Sequence, residues 1–283
     1  MHHFFPVLGC ILCAASTFSA SAQTPFRISN SSVTLPAVQV ATVGSRFAPP
    51  VGYTRASLTI GSFGAYLRSL PLKPEGAQVH LFDGRSKNNQ GVHAAVIDMS
   101  VGTKDLQQCA DAVMRLRAEF LFAGGRKDEI AFNFTNGFKA PFSRWMKGEH
   151  IRVQGNACSW IPGGKTGSTH ENLRMYLEMV FTYAGTASLS KELSDCADTL
   201  VRPGDVFIQG GHPGHAVIVV DMARGENGEQ VFLLAQSYMP AQEIHVLKNL
   251  DDPDLSPWFK LNDGAELKTP EWTFRWDQRK RWD

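Results

Sequence analysis

The stretch GGHPGHAVIVVD, residues 210–221, places two histidines in a turn rich in glycine and proline and then continues as an apolar, β-branched run. Runs of this composition that follow turn residues are typical of buried β-strands. Further strands are predicted at 204–211, 230–240 and 243–249, with turn residues between them. The sequence therefore predicts an antiparallel meander in which His215 opens a rigid, buried strand.

Helices and strands earlier in the chain complete the predicted fold. Residues 105–125 carry an apolar side chain every three or four positions, with Asp105 as the predicted N-cap and two glycines at the end. A second long helix is predicted at 168–185, where Ser168 and Glu171 form a capping-box pattern. Shorter elements are predicted as helices at 63–70 and 186–193 and as strands at 77–84 and 91–102.

This order of elements predicts an α+β fold with helices packed on an antiparallel sheet. One domain is expected over residues 51–283, with an insertion near 126–195. The chain has 28 Lys and Arg against 27 Asp and Glu, so its charge gives no indication of a nucleic-acid partner. Beyond the first 22 residues, no run of about 18 apolar residues predicts a transmembrane segment.

The first 22 residues have the pattern of a secretory signal peptide, with an apolar centre and small residues ending at Ala22. Residues 23–50, rich in Ser, Thr, Val and Pro, are predicted to form an extended leader. We therefore expect a periplasmic or secreted protein. A lipoprotein is the less favoured alternative, because only nine residues precede Cys10 in the sequence VLGC.

Export leaves three cysteines, Cys109, Cys158 and Cys196, in an oxidising compartment. The simplest assignment is one disulfide and one free thiol, although the sequence alone does not fix the pairing. Cys158 and Cys196 are the disulfide candidates, and two buried thiols are the alternative.

Three residues could form a site for nucleophilic catalysis. Cys109 lies early on its predicted helix, His215 opens a strand, and Gln236 ends the next strand. A helix N-terminus stabilises a thiolate, an imidazole can take and return the proton, and a third polar group can orient the imidazole. The alternative is a structural Cys109, because it lies on the apolar stripe of its helix and free cysteine is usually buried.

The segments 202–221 and 232–242 resemble the C-terminal half of the NlpC-type and CHAP cell-wall peptidases of the papain-like superfamily. The resemblance consists of a Gly-Asp before an apolar strand, a Gly-His that opens the next strand, and a polar residue one strand later. It implies a papain-like core in which Cys109 is the nucleophile, His215 the general base and acid, and Gln236 the orienting group or an oxyanion donor. The interval between Cys109 and His215 is longer than these small domains usually show.

The resemblance and the export signal together imply an exported cysteine hydrolase of a cell-envelope amide bond, with the peptide part of peptidoglycan as the expected substrate. A lipid acyl bond is the alternative within the same chemistry. His212, Tyr238 and Trp145 are the candidate substrate-binding residues. No metal or other cofactor is predicted, because the histidines are scattered and neither HExxH nor CxxC occurs.

A different class of function stays open beside the hydrolase. The same fold could serve as a non-catalytic periplasmic binding or structural module, with Cys109 as a buried core thiol. The whole chain also resembles a bacterial family known only as a domain of unknown function, including the stretches LQQCADAVMRLRAE and AQSYMPAQ. That second resemblance implies no activity.

Overall fold

A computed structural model of the chain describes residues 40–260 and 266–283, which lie in one unit, Gln39–Asp283. The fold is mixed α/β with antiparallel sheets. In the described residues the α-helices are α1 (Val43–Arg46), α2 (Phe63–Arg68), α3 (Cys109–Ala123), α4 (Phe142–Trp145), α5 (His170–Tyr183) and α6 (Thr186–Glu192). None of these helices combines the length and the apolar character that crossing a membrane requires.

The strands of the described residues are β1 (Tyr53–Arg55), β2 (His93–Val96), β3 (Ala131–Asn133), β4 (Lys139–Pro141), β5 (Lys147–Gln154), β6 (Ala157–Thr166), β7 (Ser194–Asp195), β8 (Val206–Gln209), β9 (His215–Gly225), β10 (Gln230–Gln236), β11 (His245–Leu247), β12 (Phe259–Lys260), β13 (Glu266–Lys268), β14 (Thr273–Arg275) and β15 (Arg279–Arg281). The large sheet has the order β2-β11-β10-β9-β8-β15-β7, with β1 also paired to β9 and β12 to β10. The predicted meander is confirmed, because β8, β9, β10 and β11 pair in sequence and antiparallel.

Strand β9 is buried on both faces, which explains its nearly continuous apolar sequence. Its residues 216, 218 and 220 belong to the hydrophobic cluster that also contains the buried face of α3. Its residues 217 and 219 belong to a second cluster with Phe207, Phe232 and Phe274. Because side chains alternate along a strand, His215 shares the face of the second cluster.

Helix α3 begins at Cys109, four residues after the predicted N-cap, and its N-cap residue is Gln108. Asp105 does not cap the helix because its Oδ1 accepts the N–H of Ala241, at 2.6 Å, in the segment after β10. Instead, Asp111 Oδ2 accepts the Gln108 N–H at 3.0 Å. The correction places the thiol in the first helical position.

Two predictions for the N-terminal part of the chain are wrong, and others lie outside the described residues. The predicted signal peptide and the leader up to residue 39 lie outside the described residues. Residues 43–46 form α1 instead of extended leader, because Thr42 Oγ1 accepts the Ser45 N–H. Residues 77–84 form no strand, since the Leu81 N–H turns back to the Arg85 carbonyl at 2.7 Å.

The segment 126–195 packs into the same core as the rest of the unit. It carries two small antiparallel pairs, β3–β4 and β5–β6, and helices α4 to α6. Tyr176 of α5 is fully buried, with its ring 5.0 Å from that of Phe142. Thr169, not Ser168, caps α5, because its hydroxyl accepts the Asn172 N–H at 3.2 Å.

The structure does not contain the predicted disulfide between Cys158 and Cys196, and both are free thiols. Cys158 lies in the β5–β6 pair, where its sulfur accepts a hydrogen bond from Asn136 Nδ2. Cys196 follows β7, the strand at one end of the large sheet, and its N–H donates to the Arg279 carbonyl.

The aspartate that ends the opening stretch, Asp221, is a fully buried carboxylate in β9. Its Oδ2 pairs with Arg55, and its Oδ1 accepts hydrogen bonds from Arg68 Nε at 2.7 Å and from the Met222 N–H at 2.8 Å. Burial raises the pKa of Asp221, and the two guanidinium groups oppose this rise. The two arginines lie on β1 and α2, so this carboxylate holds both elements against β9.

Candidate active site

Cys109 and His215 line the same cavity, which has a volume of about 670 Å³. The cavity lies where the N-terminus of α3 meets the turn before β9 and the segment after β10. Tyr238 and Trp272 supply aromatic walls, and His212 lies in the turn. Cavities of this size are typical of small-molecule and peptide sites.

The side chains of His215 and Gln236 form a hydrogen bond of 2.8 Å between Nε2 and Oε1. The two residues lie on the neighbouring strands β9 and β10, as the sequence predicted. Because an amide oxygen only accepts, Nε2 must carry the proton in this arrangement. The other ring nitrogen, Nδ1, is therefore unprotonated in the neutral ring and is free to act as a base.

The backbone N–H of Ala216 lowers the pKa of the Cys109 thiol. That N–H belongs to the peptide group that joins His215 to Ala216, so the backbone next to the histidine contributes to the electrostatics of the thiol. Within the described part of the chain, the sulfur and the imidazole are not joined by a hydrogen bond of their own. Catalytic hydrogen bonds are often longer in unliganded enzymes and tighten when substrate binds.

Burial controls the charge of the Cys109 thiol, which is only 9% exposed. Burial and, to a smaller extent, the charge of Asp111 raise the pKa of Cys109 to about 11. The backbone N–H groups of Ala110, Ala216 and Cys109 itself lower this pKa. The helix N-terminus thus lowers the pKa of the thiol, as predicted. Desolvation raises this pKa by more, and the resting thiol is therefore neutral.

The imidazole of His215 is also neutral at pH 7. Burial lowers its pKa to about 4, although the hydrogen bond to Gln236 acts in the opposite direction. The ring is enclosed by aromatic side chains, with centroid distances of 4.8 Å to Tyr238, 5.4 Å to Trp272 and 5.9 Å to Phe274. The imidazole and the thiol that line this cavity are therefore both neutral at pH 7.

Two charged residues that are linked to Gln236, Glu271 and Lys87, were not predicted from the sequence to belong to the site. Gln236 Nε2 donates to Glu271 Oε2 at 2.6 Å, and Lys87 Nζ lies 2.7 Å from Glu271 Oε1. Lys87 is 7% exposed, so this ion pair is largely shielded from water. Trp272, in the tryptophan-rich tail, was likewise not predicted to line the cavity. No local pattern marks these positions, since they reach the site only through long-range packing.

The candidate substrate-binding residues separate into two groups. Tyr238 and His212 line the cavity beside His215, as expected. Trp145 does not line it: its side chain is 5% exposed, its ring lies 5.9 Å from that of Tyr176, and its Nε1 donates to Asn172 Oδ1 at 2.8 Å. Trp145 is therefore a core residue of the 126–195 segment.

Gly214, directly before His215, allows the close approach of helix α6 to the turn between β8 and β9. A Cβ added there would lie 2.4 Å from Thr186 Oγ1, 2.5 Å from the Gly211 carbonyl and 2.8 Å from the Gln209 carbonyl. We therefore expect Gly214→Ala to lower the free energy of unfolding by about 1–3 kcal/mol, as overpacking does. Chemical denaturation of the purified protein measures this loss.

Gly185→Ala is the matched control for that variant. Gly185 lines the same cavity, and an added Cβ would meet no atom within 4 Å. Its unfolding free energy should change by less than about 1 kcal/mol. Equal stabilities of the two variants would contradict the argument.

Comparison with known proteins gives a family but no activity. Within residues 40–260 and 266–283, no group of three or more His, Cys, Asp or Glu side chains is arranged to hold a metal ion. A search of curated proteins and a search of solved structures each gave no significant match. One family, described as "Domain of unknown function (4846)", matches residues 43–281. Because this match covers most of the chain, including Cys109, His215 and Gln236, the protein belongs to that family.

Proposed function

We propose that this protein is an exported cysteine hydrolase that cleaves an amide bond of the cell envelope. One observation carries the proposal: a cysteine in the first position of a helix shares a cavity with a histidine whose protonated nitrogen is fixed by Gln236. The N–H of the His215–Ala216 peptide group lowers the pKa of the thiol. A nucleophile, a base and an orienting residue in these relations are the components of covalent catalysis by a thiol.

The first chemical step forms a thioester. As the Cys109 sulfur bonds to the substrate carbonyl carbon, its proton passes to Nδ1 of His215, and the carbonyl oxygen becomes an oxyanion. The first N–H groups of α3, those of Cys109 and Ala110, have no acceptor within the helix and can stabilise that charge. The C–N bond then breaks, and the imidazolium returns the proton to the departing amine.

The second step releases the enzyme. Water attacks the thioester carbonyl while His215 takes one of its protons, and the C–S bond breaks to give a carboxylic acid. The sulfur recovers its proton from the imidazolium. Gln236 keeps its hydrogen bond to Nε2 throughout, so the ring presents the same nitrogen in both steps.

The arrangement of elements supports a papain-like core for the proposed enzyme. Helix α3 begins at the nucleophile and contributes to the core cluster on one face of β9, and the base and the orienting residue lie on adjacent antiparallel strands. This is the order that the resemblance to NlpC-type and CHAP peptidases implies. The segment 126–195 accounts for the long interval, because it packs as extra helices and strands between nucleophile and base.

The cell-envelope substrate rests on the predicted signal peptide and on the same resemblance. The aromatic side chains of Tyr238 and Trp272 and the cavity volume of about 670 Å³ suit a short peptide next to the reacting carbonyl. The peptide part of peptidoglycan is therefore the substrate that we propose.

Incubation with peptidoglycan fragments tests this function. Mass spectrometry should detect cleaved peptides carrying new amine and carboxylate ends. Cys109→Ser should lower the turnover by at least about 10³-fold, because the serine hydroxyl is a much weaker nucleophile beside a neutral imidazole. Cys158→Ser, which removes the free thiol of the β5–β6 pair, should keep wild-type turnover. Cleavage that persists in Cys109→Ser would refute the proposed mechanism.

The burial of Cys109 favours a second candidate, a periplasmic binding or structural module without catalysis. A thiol that is 9% exposed and has a raised pKa is also what a core cysteine shows. The two candidates differ in whether His215 changes the reactivity of Cys109, which an alkylation experiment measures directly.

A further inference from the structure

The amide of Gln236 has two ends of nearly equal size but opposite hydrogen-bonding character. With Oε1 towards His215, the ring carries its proton on Nε2 and leaves Nδ1 free. With the amide turned over, Nε2 of the ring would have to accept, and Nδ1 would carry the proton. Only the first arrangement leaves a base for the thiol, so the orientation of this amide decides whether the proposed pair can react.

The NH₂ end of Gln236 faces two acceptors. Glu271 Oε2 lies 2.6 Å from Gln236 Nε2, and a carboxylate can only accept. His245 Nε2 lies 3.5 Å from the same atom. His245 Nδ1 lies 2.9 Å from the Glu243 carbonyl, so Nδ1 donates there and Nε2 presents a lone pair to the amide. Turning the amide over would point its oxygen at two acceptors.

Lys87 holds the carboxylate of Glu271 in place. Its Nζ lies 2.7 Å from Oε1, the oxygen that is not bonded to Gln236, and the lysine is buried. The same ammonium group lies 5.3 Å from the ring centroid of Tyr238, which packs against His215. An ion pair enclosed in this way fixes the direction of the Glu271 side chain.

We propose that Glu271 and His245 are positioning residues that fix the amide of Gln236 and, through it, the Nε2-protonated tautomer of His215. Glu271 comes from the segment between β13 and β14 and His245 from β11, so the tautomer is set by elements that do not contribute the nucleophile. This inference rests on the proposed function, because a fixed tautomer matters only if His215 accepts the thiol proton.

Glu271→Gln tests the inference, because it keeps the size of the side chain but gives it an NH₂ group that can face the Gln236 oxygen. Nitrogen-15 NMR of the histidine rings reports the tautomer directly. We expect the Nε2-protonated form of His215 in the wild-type protein and a substantial Nδ1-protonated population in the variant. The alkylation rate of Cys109 should fall by roughly tenfold or more, since a wrong tautomer removes the base.

Glu229→Gln is the matched control, because it breaks the Lys260–Glu229 ion pair, which lies outside the cavity. It should leave both the His215 tautomer and the alkylation rate unchanged. If Glu271→Gln does not fold, Lys87→Met tests the same positioning role, because it removes the ion-pair partner of Glu271. The two measurements and their expected directions are the same.

The outcomes separate the inference from the proposed function. A His215→Ala variant that alkylates as fast as wild type would refute the proposed function itself. A slow His215→Ala, together with an unchanged tautomer and rate in Glu271→Gln, would overturn the positioning role and leave the proposed function standing. A loss of rate with an unchanged tautomer would also overturn the inference, since the loss would then have another cause.

Discussion

Replacing His215 with alanine is expected to slow the alkylation of Cys109 by about 10²-fold or more at pH 7, the range for removal of a general base. The thiol is neutral at this pH because burial raises its pKa to about 11. In the proposed mechanism it becomes nucleophilic only when His215, a neutral imidazole that lines the same cavity, takes its proton during the attack. The rate is measured with a small uncharged reagent such as iodoacetamide, on the native protein.

The pH profile of the same reaction carries a second signature. In the wild-type protein the rate should fall as the pH drops through about 4, because protonated His215 cannot accept a proton. It should then stay nearly constant until the thiol itself ionises near its pKa of about 11. In His215→Ala the plateau should disappear, so that the rate rises about tenfold per pH unit with the thiolate population.

His170→Ala is the control for this variant, because His170 is an exposed histidine that contacts Glu119 and does not line the cavity. It should keep the wild-type rate and plateau. Equal rates for wild type and His215→Ala, or labelling of Cys109 only after denaturation, would favour the binding-module alternative. A strong thiolate absorbance at pH 7 would contradict the neutral pair.

Asp221→Ala is expected to lower the free energy of unfolding by about 3–5 kcal/mol, the cost of removing one partner of a buried ion pair. The carboxylate is fully buried and accepts from Arg55, from Arg68 and from the Met222 N–H. Alanine would leave both guanidinium groups without their counterion and one buried N–H without its acceptor. Denaturation with urea, followed by circular dichroism, measures the loss.

Asp277→Ala controls for the general effect of losing an aspartate in an ion pair. Asp277 pairs with Arg275 on the surface, and its side chain is 70% exposed. Exposed pairs contribute little, so this variant should lie within about 1 kcal/mol of wild type. An Asp221→Ala variant that is equally stable would show that β1 and α2 are held to β9 by other contacts.

The parts of the fold that the sequence predicts are those determined by local pattern. Strand β9 is predicted because its apolar run follows a turn, and α3 because its apolar positions recur at helical spacing. The pairing of His215 with Gln236 followed from neighbouring strand ends in a short meander. In each case the pattern that determines the structure lies within one element or within two consecutive strands.

The parts that escaped prediction depend on contacts between distant segments. Aspartate is a residue type that favours the N-cap position. The Asp105 carboxylate instead accepts the N–H of Ala241, and α3 therefore begins at Cys109. Trp145 was predicted to bind substrate. Its indole N–H instead donates to the buried Oδ1 of Asn172. Neither partner can be identified from the sequence around the residue itself.

The residues of the candidate site are far apart along the chain, so the ribosome makes them one after another. Cys109 and its helix come early, His215 and Gln236 much later, and Glu271 and Trp272 later still. Until Glu271 and Trp272 have been made, the growing chain already contains Cys109 and His215. At that stage Trp272 does not yet cover the His215 ring, and Glu271 does not yet fix the amide of Gln236. The proposed site is therefore complete only once synthesis has passed residue 272, and we expect a chain that ends before that point to lack the proposed activity.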